Sequence, residues 1–338
     1  MDPNAVNQNI TVDDFDSVVT YADQGQWSTP NPQLLSNDSV TPWKDGTYHL
    51  TNITNASFTF DFEGPTFFIY GAAGPAYGSF EISLDGSSSV STAHASQNVS
   101  GHLLFSNTTL EYANHTLKMT NLGAQNGDDG GNQFLFDYLQ FTVQLAPEGA
   151  SVKNTTVQET DSALTFNGNW TTNVFNPLFS GGGSKYTNAD GATVSLSFYG
   201  STIYIFGDKV DDHGLFSVTL DNRTAQQFDG VSGCGGAFRK YCEKDNTLAY
   251  FASNLDSSLH TVTLQNNAGV NHSFFDLDAM VYTTPSEYAV RQPPTSSSGS
   301  GSSSSASSSL SSAVPGMNLL LLLFLNAVWL GRSCRRWL

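Results

Sequence analysis

Two short loops carry the side chains that are best suited to binding a ligand. One reads DKVDDH and ends at His213, and the other reads AAGPAY and ends at Tyr77. Asp211, Asp212 and His213 offer carboxylate and imidazole groups for sugar hydroxyls, and Tyr77 offers an aromatic face for a sugar ring. These four residues are therefore candidate ligand-binding residues. An ordinary surface loop is the alternative interpretation of both stretches.

Trp43 is the fifth candidate. Trp27 and Trp170 recur at equivalent places in two similar stretches, so we expect them to pack in a core. Trp43 has no such counterpart in the sequence and is the better candidate for an exposed aromatic side chain that contacts a ligand.

Motifs of known enzymes are missing from the sequence. There is no G-x-S-x-G, no H-E-x-x-H, no P-loop and no dinucleotide fingerprint. A glycosidase needs two placed carboxylates, and Glu63 and Glu81 have Tyr199 and Ser217 at the matching places of a repeat. We therefore predict that the protein is not an enzyme and assign no catalytic residue.

One acidic loop raises the question of a metal ion. Asp128 and Asp129 stand among glycines and offer oxygen ligands that suit Ca²⁺. A flexible acidic loop without a metal is the alternative. Apart from this weak candidate for structural Ca²⁺, we expect no metal and no cofactor.

A repeated stretch must position these loops. Phe58 to Asp85 matches Val194 to Asp221 without a gap, and its glycines coincide. In both copies apolar residues alternate with polar ones, which is typical of strands with one buried face. No helical period is convincing. The sequence therefore predicts an all-β protein with two tandem β-sandwich domains of jelly-roll type, at 11–145 and 157–285.

The charge balance excludes one class of partner. The chain has 30 acidic and 13 basic residues, for a formal net charge of −17. Nucleic acid binding needs lysine and arginine contacts to phosphates, so we expect no nucleic acid partner.

Cysteines and sequons indicate an oxidising compartment. Cys234 and Cys242 are close in the sequence and are predicted to form a disulfide, although two free thiols are the alternative. Eleven N-x-S/T sequons predict a glycosylated, secreted chain. They begin at Asn9, Asn37, Asn52, Asn55, Asn98, Asn107, Asn114, Asn154, Asn169, Asn222 and Asn271.

The N-terminal residues conflict with secretion, because they include neither a basic nor an apolar region of a signal peptide. We interpret this as a signal peptide that is missing from the sequence. A wrong assignment of secretion is the alternative.

The C-terminal residues predict attachment to a membrane. A Ser-rich stalk at 286–312 precedes a hydrophobic segment at 314–331 and a basic tail at 332–338. The hydrophobic segment fits either the signal for a lipid anchor or a single membrane span. Tail anchoring with the domains in the cytosol is a third possibility. The predicted location is the cell surface, at the plasma membrane, with both domains outside.

The motifs IYIFG, HGLFSVTLD and LHTVTLQN, together with the stalk, resemble a group of uncharacterised fungal (basidiomycete-type) surface or transmembrane proteins. Their repeated unit is similar to the galactose-binding-like jelly roll of lectins. The first copy departs from the pattern, with Tyr77 at the place of His213.

This resemblance implies a cell-surface glycoprotein that recognises cell-wall or cell-surface glycans without catalysis. A structural or adhesive surface protein is the alternative, and a carbohydrate-active enzyme comes third.

Overall fold

A computed structural model describes residues 2–32, 41–125, 128–234, 242–269 and 273–289. The described strands belong to one compact unit, Met1–Thr295. Of the predicted stalk only residues 286–289 are described. The hydrophobic segment 314–331, the tail 332–338, Asn37 and Asn271 lie outside the described residues.

The described residues of the first half form ten strands. They are β1 Val6–Asp13, β2 Thr20–Tyr21, β3 His49–Thr51, β4 Ser57–Glu63, β5 Phe67–Ala73, β6 Ser79–Leu84, β7 Ser87–Thr92, β8 Val99–Asn107, β9 Asn114–Gly123 and β10 Phe134–Ala146. Short 3-10 turns lie at Gln24–Gln26 and Lys44–Gly46.

The second half repeats this order with one strand added. Its strands are β11 Val152–Gln158, β12 Leu164–Asn167, β13 Thr171–Val174, β14 Gly183–Thr187, β15 Thr193–Phe198, β16 Thr202–Lys209, β17 Leu215–Leu220, β18 Gln226–Asp229, β19 Lys244–Ala252, β20 His260–Asn266 and β21 Phe275–Pro285. A 3-10 turn lies at Ser180–Gly182. The prediction of an all-β protein is confirmed.

Each half forms two antiparallel sheets. In the first half the orders are β1-β10-β5-β8, with β3 paired to β10, and β2-β4-β9-β6-β7. In the second half they are β13-β14-β21-β16-β19, with β11 paired to β21, and β12-β15-β20-β17-β18. The matched stretches of the sequence are therefore β4–β6 and β15–β17, which occupy corresponding places in the two halves.

Aromatic side chains fill the space between the two sheets of each half. Phe58 of β4 lies 4.4 Å from Phe136 of β10, between ring centroids, and Phe216 of β17 lies 4.8 Å from Phe275 of β21. All four rings are almost fully buried. This follows from the period-two alternation, since every second side chain of these strands points to the facing sheet.

The second half also packs against the first. Tyr204 of β16 and Leu248 of β19 belong to the hydrophobic cluster of the first half. Phe251 lies 5.5 Å from Phe141, and the Leu248 amide donates a 2.7 Å hydrogen bond to Asp16 Oδ1. The face of β16 and β19 is thus buried between the halves.

The predicted disulfide is confirmed. Cys234 and Cys242 are bonded, with their Cα atoms 6.0 Å apart.

The predicted membrane anchor and the location derived from it are corrected. Within the described ranges, no helix has the length and apolar character that a membrane crossing requires.

The matched glycines lie where strands approach closely. A Cβ atom at Gly71 would collide with the carbonyl oxygen of Leu135 on the neighbouring strand. We expect Gly71→Ala to lower the free energy of unfolding by about 1–3 kcal/mol, because backbone atoms cannot move aside cheaply. A urea titration followed by tryptophan fluorescence measures the change.

Gly25→Ala is the matched control. A Cβ there meets only the Asp23 carboxylate, at 3.3 Å, so its effect should stay within about 0.5 kcal/mol. Equal stabilities for the Gly71→Ala variant and the wild type would contradict the close packing of β5 on β10.

Candidate functional site

Several polar contacts occur at equivalent places in both halves. We interpret these contacts as requirements of the fold. His115 Nδ1 lies 2.7 Å from Asp85 Oδ2, and His260 Nδ1 lies 2.9 Å from Asp221 Oδ2. Both aspartates have positive φ, at the turn after β6 or β17. Each pair ties a turn to a neighbouring strand, and we assign no ligand to either.

A second shared contact anchors the 3-10 turns. Asp137 Oδ1 accepts a 2.9 Å hydrogen bond from the Lys44 amide, and Asp278 Oδ2 accepts one of 3.2 Å from the Ser180 amide. Burial raises the pKa of Asp137 to about 7 and that of Asp278 to about 6. These carboxyl groups are structural, since they occupy the same place in both halves.

The end of β16, the loop after it and the start of β21 together contain a cluster of a different kind. His213 Nε2 lies 2.9 Å from Asp208 Oδ1, and Asp276 of β21 reaches the same point. One ligand atom of each residue lies within 4.8 Å of the others, and all three side chains are buried. Burial alone would lower the pKa of His213, but its contacts with Asp208 and Asp212 outweigh this and raise the pKa to about 10.

Among the described residues of the first half, this cluster has no equivalent. Tyr77 occupies the place of His213, because the two residues form matching parallel bridges with Gln133 and Phe274. Two residues beyond each bridge, Leu135 stands at the place of Asp276. Ala72, directly after Gly71, stands at the place of Asp208. The fold therefore forms without these charged groups.

The structure brings two of the predicted ligand-binding residues together and gives the third another contact. Asp212 Oδ1 lies 3.1 Å from His213 Nδ1. Asp211 instead accepts a hydrogen bond from the Ser232 hydroxyl. His213 and Asp211 are buried, so the predicted exposed loop for sugar hydroxyls is an interior arrangement of charges in the structure.

Trp43 and Tyr77, the predicted aromatic candidates, are half-buried in the first half. The Trp43 ring lies 5.0 Å from the ring of Tyr48. Burial, and then the nearby Tyr48, raise the pKa of Tyr77. Both candidates are therefore neighbours of Tyr48, a residue that the sequence did not single out. Their role as ligand contacts stays a prediction.

The acidic loop that we considered for Ca²⁺ is held by hydrogen bonds, and its Ca²⁺ site stays a prediction. Asp128 is buried and accepts hydrogen bonds of 2.6 Å from Ser79 and 2.7 Å from Thr92. These hydroxyl groups hold the loop against β6 and β7. Asp129 points outward, with its side chain 91% exposed.

A groove lies between the two halves, and none of the predicted candidates lines it. Its volume is about 280 Å³. Its floor includes Phe60 and Tyr250, which are buried, and the half-buried Phe228 and Phe251. Its rim is polar, with Thr20, Thr59, Asp61, Gln226 and Gln227.

The groove could not be found from local sequence patterns. Asp61 and Thr59 look like outward-facing residues of an ordinary strand, and Gln226 and Gln227 lie on a short edge strand of the other half. They face each other only because the halves pack together.

No family model matches the chain. A curated relative, the "A type blood alpha-D-galactosamine galactosaminidase" of Flavonifractor plautii, is 26% identical over 274 residues. The match covers 81% of this chain and 22% of that enzyme, so the chain spans about a fifth of the length of its relative.

Solved structures give weaker matches. A Paenibacillus xanthan lyase has a TM-score of 0.29 at 12% identity, covering 78% of this chain and 25% of that one. The catalytic domain of a GH87 alpha-1,3-glucanase has a TM-score of 0.29 at 17% identity, covering 45% and 30%. At these scores the likeness carries no argument about this protein.

The curated relative overturns the prediction that the chain is not an enzyme, and with it the prediction of non-catalytic recognition at a cell surface. That relative is named for a galactosaminidase activity. The predicted glycan partner is supported at the coarse level, because the activity concerns a sugar. The resemblance to fungal surface proteins stays a prediction.

The buried carboxyl group of Asp137 predicts a pH dependence. Its pKa rises from 3.8 to about 7 on folding, so the folded state holds more protons between these values and loses stability as the pH rises through them. Asp137→Asn should reduce this loss, by on the order of 1 kcal/mol or more at pH 8. Urea titrations at several values between about pH 4 and about pH 8 measure this change in the free energy of unfolding.

Asp278→Asn is the matched control, because the pKa of Asp278 is raised only to about 6. The effect of Asp278→Asn on the free energy of unfolding should level off at a pH about one unit lower than that of Asp137→Asn. A pH profile of Asp137→Asn that runs parallel to that of the wild type would contradict the assigned pKa.

Proposed function

We propose that this protein is a carbohydrate-active enzyme that acts on glycans containing an amino sugar, and that a sugar unit lies in the groove between the halves. The observation that carries the proposal is the composition of this groove, which combines aromatic rings with a polar rim.

Aromatic rings and planar polar groups are the two features that sugars need. The half-buried rings of Phe228 and Phe251 suit the apolar face of a pyranose. The amides of Gln226 and Gln227, both exposed, can donate to hydroxyl groups and accept from them. The volume of about 280 Å³ fits one sugar unit rather than a long chain.

The charge of the groove favours an amino sugar. Asp61 is the acidic side chain among its described lining residues, and it is exposed on β4. Its Oδ1 accepts a 2.7 Å hydrogen bond from Thr116 Oγ1, which fixes the orientation of the carboxylate. The ammonium group of a free amino sugar would pair with this carboxylate, and the aromatic floor would add cation–π attraction.

The name of the curated relative agrees with this chemistry, since galactosamine carries a free amino group. Cleavage of a glycosidic bond needs a pair of carboxyl groups, and the described groove lining supplies one. We therefore assign sugar binding to the groove. Cleavage of the glycosidic bond is proposed for the protein without naming its catalytic residues.

The finer description of the fold is part of the proposal. We take the halves to be tandem β-sandwich domains of the galactose-binding-like jelly-roll type, at about 11–145 and 157–285. Two antiparallel sheets per half, with aromatic side chains between them, support this assignment.

Hydrolysis of a chromogenic α-D-galactosaminide by the full chain tests the function. We expect turnover, and a weaker reaction with the N-acetylated analogue, which has no ammonium group. Asp61→Asn should raise KM for the amino sugar about 10- to 100-fold, because a charge-assisted hydrogen bond is lost.

Asp129→Asn is the control, because it removes an exposed carboxylate that does not line the groove. It should leave the kinetics unchanged. Absence of turnover with a panel of amino-sugar glycosides would refute the proposed activity. Turnover that Asp61→Asn leaves unaffected would place the sugar elsewhere.

A further inference from the structure

We propose that Asp208, His213 and Asp276 form a binding site for one divalent transition-metal cation, with Zn²⁺ as the best fit. The site lies in the second half, where the loop after β16 meets the start of β21. It is independent of the groove and of the proposed sugar.

The donor atoms already converge. One carboxylate oxygen from each aspartate and one imidazole nitrogen lie within 4.8 Å of one another. Two ligands of a tetrahedral Zn²⁺ ion stand about 3.3 Å apart, given bond lengths of about 2.0–2.1 Å. The 2.9 Å between Asp208 Oδ1 and His213 Nε2 needs to widen by only a few tenths of an ångström.

The carboxylate of Asp208 provides a separate indication of a ligand. Its side chain is 1% exposed, and Oδ2 has no hydrogen-bond donor among the residues that the structure describes. A buried carboxylate oxygen without a donor is costly, and such groups are normally paired or bound to a metal. A cation at the convergence point would satisfy it.

The internal repeat argues against a structural requirement for these charges. The equivalent residues of the first half are Ala72, Tyr77 and Leu135, and that half forms the same sheets. Three polar residues that are all buried, and all absent from the other copy, indicate a property that the second half has in addition to its fold.

The surrounding backbone holds the ligands in place. Parallel bridges join Val210 to Val231 and His213 to Phe274, and the Phe274 amide donates a 2.9 Å hydrogen bond to the Asp212 carbonyl. His213 and Asp276 are thereby fixed on neighbouring segments. Preorganised ligands of this kind bind a cation with little loss of conformational entropy.

The donor set selects the type of cation. One imidazole and two carboxylates suit Zn²⁺, with a fourth position left for water. Ca²⁺ prefers six to eight oxygen ligands, so it should bind much more weakly here.

The metal content of tag-free, full-length protein tests the proposal. Because the ligands are buried, we expect about one equivalent of Zn²⁺ by mass spectrometry after purification and dialysis. Protein that is unfolded and refolded with a chelator should melt at a lower temperature, and added Zn²⁺ should restore the original melting temperature. Ca²⁺ should not restore it.

A triple variant, Asp208→Ala with His213→Tyr and Asp276→Leu, transfers the residues of the first half to this site. It should fold, contain no Zn²⁺ and melt at a temperature that Zn²⁺ does not change. His102→Gln alters a half-buried histidine on β8, outside this cluster, and should keep one equivalent.

Two results would overturn the proposal. One is a folded wild type that contains and binds less than about 0.1 equivalent of Zn²⁺, in which case the cluster is a closed network of ion pairs. The other is a triple variant that retains Zn²⁺, which would place the metal elsewhere. If the triple variant does not fold, His213→Tyr alone replaces it and should lower the Zn²⁺ affinity by about 100-fold or more.

Discussion

The packing of β16 and β19 against the first half is the contact on which the rest of the structure depends. Tyr204 and Leu248 complete the hydrophobic core of the first half, and the Leu248 amide satisfies the buried carboxylate of Asp16. The groove exists only because this contact holds two edge strands, β2 and β18, across from each other. Fold and proposed site therefore share one interface.

The internal duplication distinguishes the side-chain contacts that both halves use to fold from the features that occur in one half or between the halves. The Asp85–His115 pair and the Asp137 anchor have counterparts in the second half, so they belong to the common architecture. Within the part of the chain that the structure describes, the Asp208–His213–Asp276 cluster and the groove have no such counterparts. We place the functional interest of the molecule in these two unshared features.

Much of the fold was predictable from the sequence. The alternation of apolar and polar residues indicates which strand faces are buried, and the matched glycines indicate where strands approach closely. Trp27, predicted to pack in a core, is buried in one. The sites were predicted less well. His213 was singled out as a candidate ligand contact, and Asp208 begins the same short stretch, but Asp276 is distant in sequence and meets them only across neighbouring strands. The groove residues come from both halves, so no local pattern indicates them. The enzyme interpretation needed the curated relative.

A crystal structure of the protein with a galactosamine-containing oligosaccharide tests the central claim most directly. The account predicts a sugar ring in the groove, its face on Phe228 or Phe251 and its amino group within about 3 Å of the Asp61 carboxylate. A sugar bound beside Trp43 and Tyr77, with the groove holding only water, would contradict it.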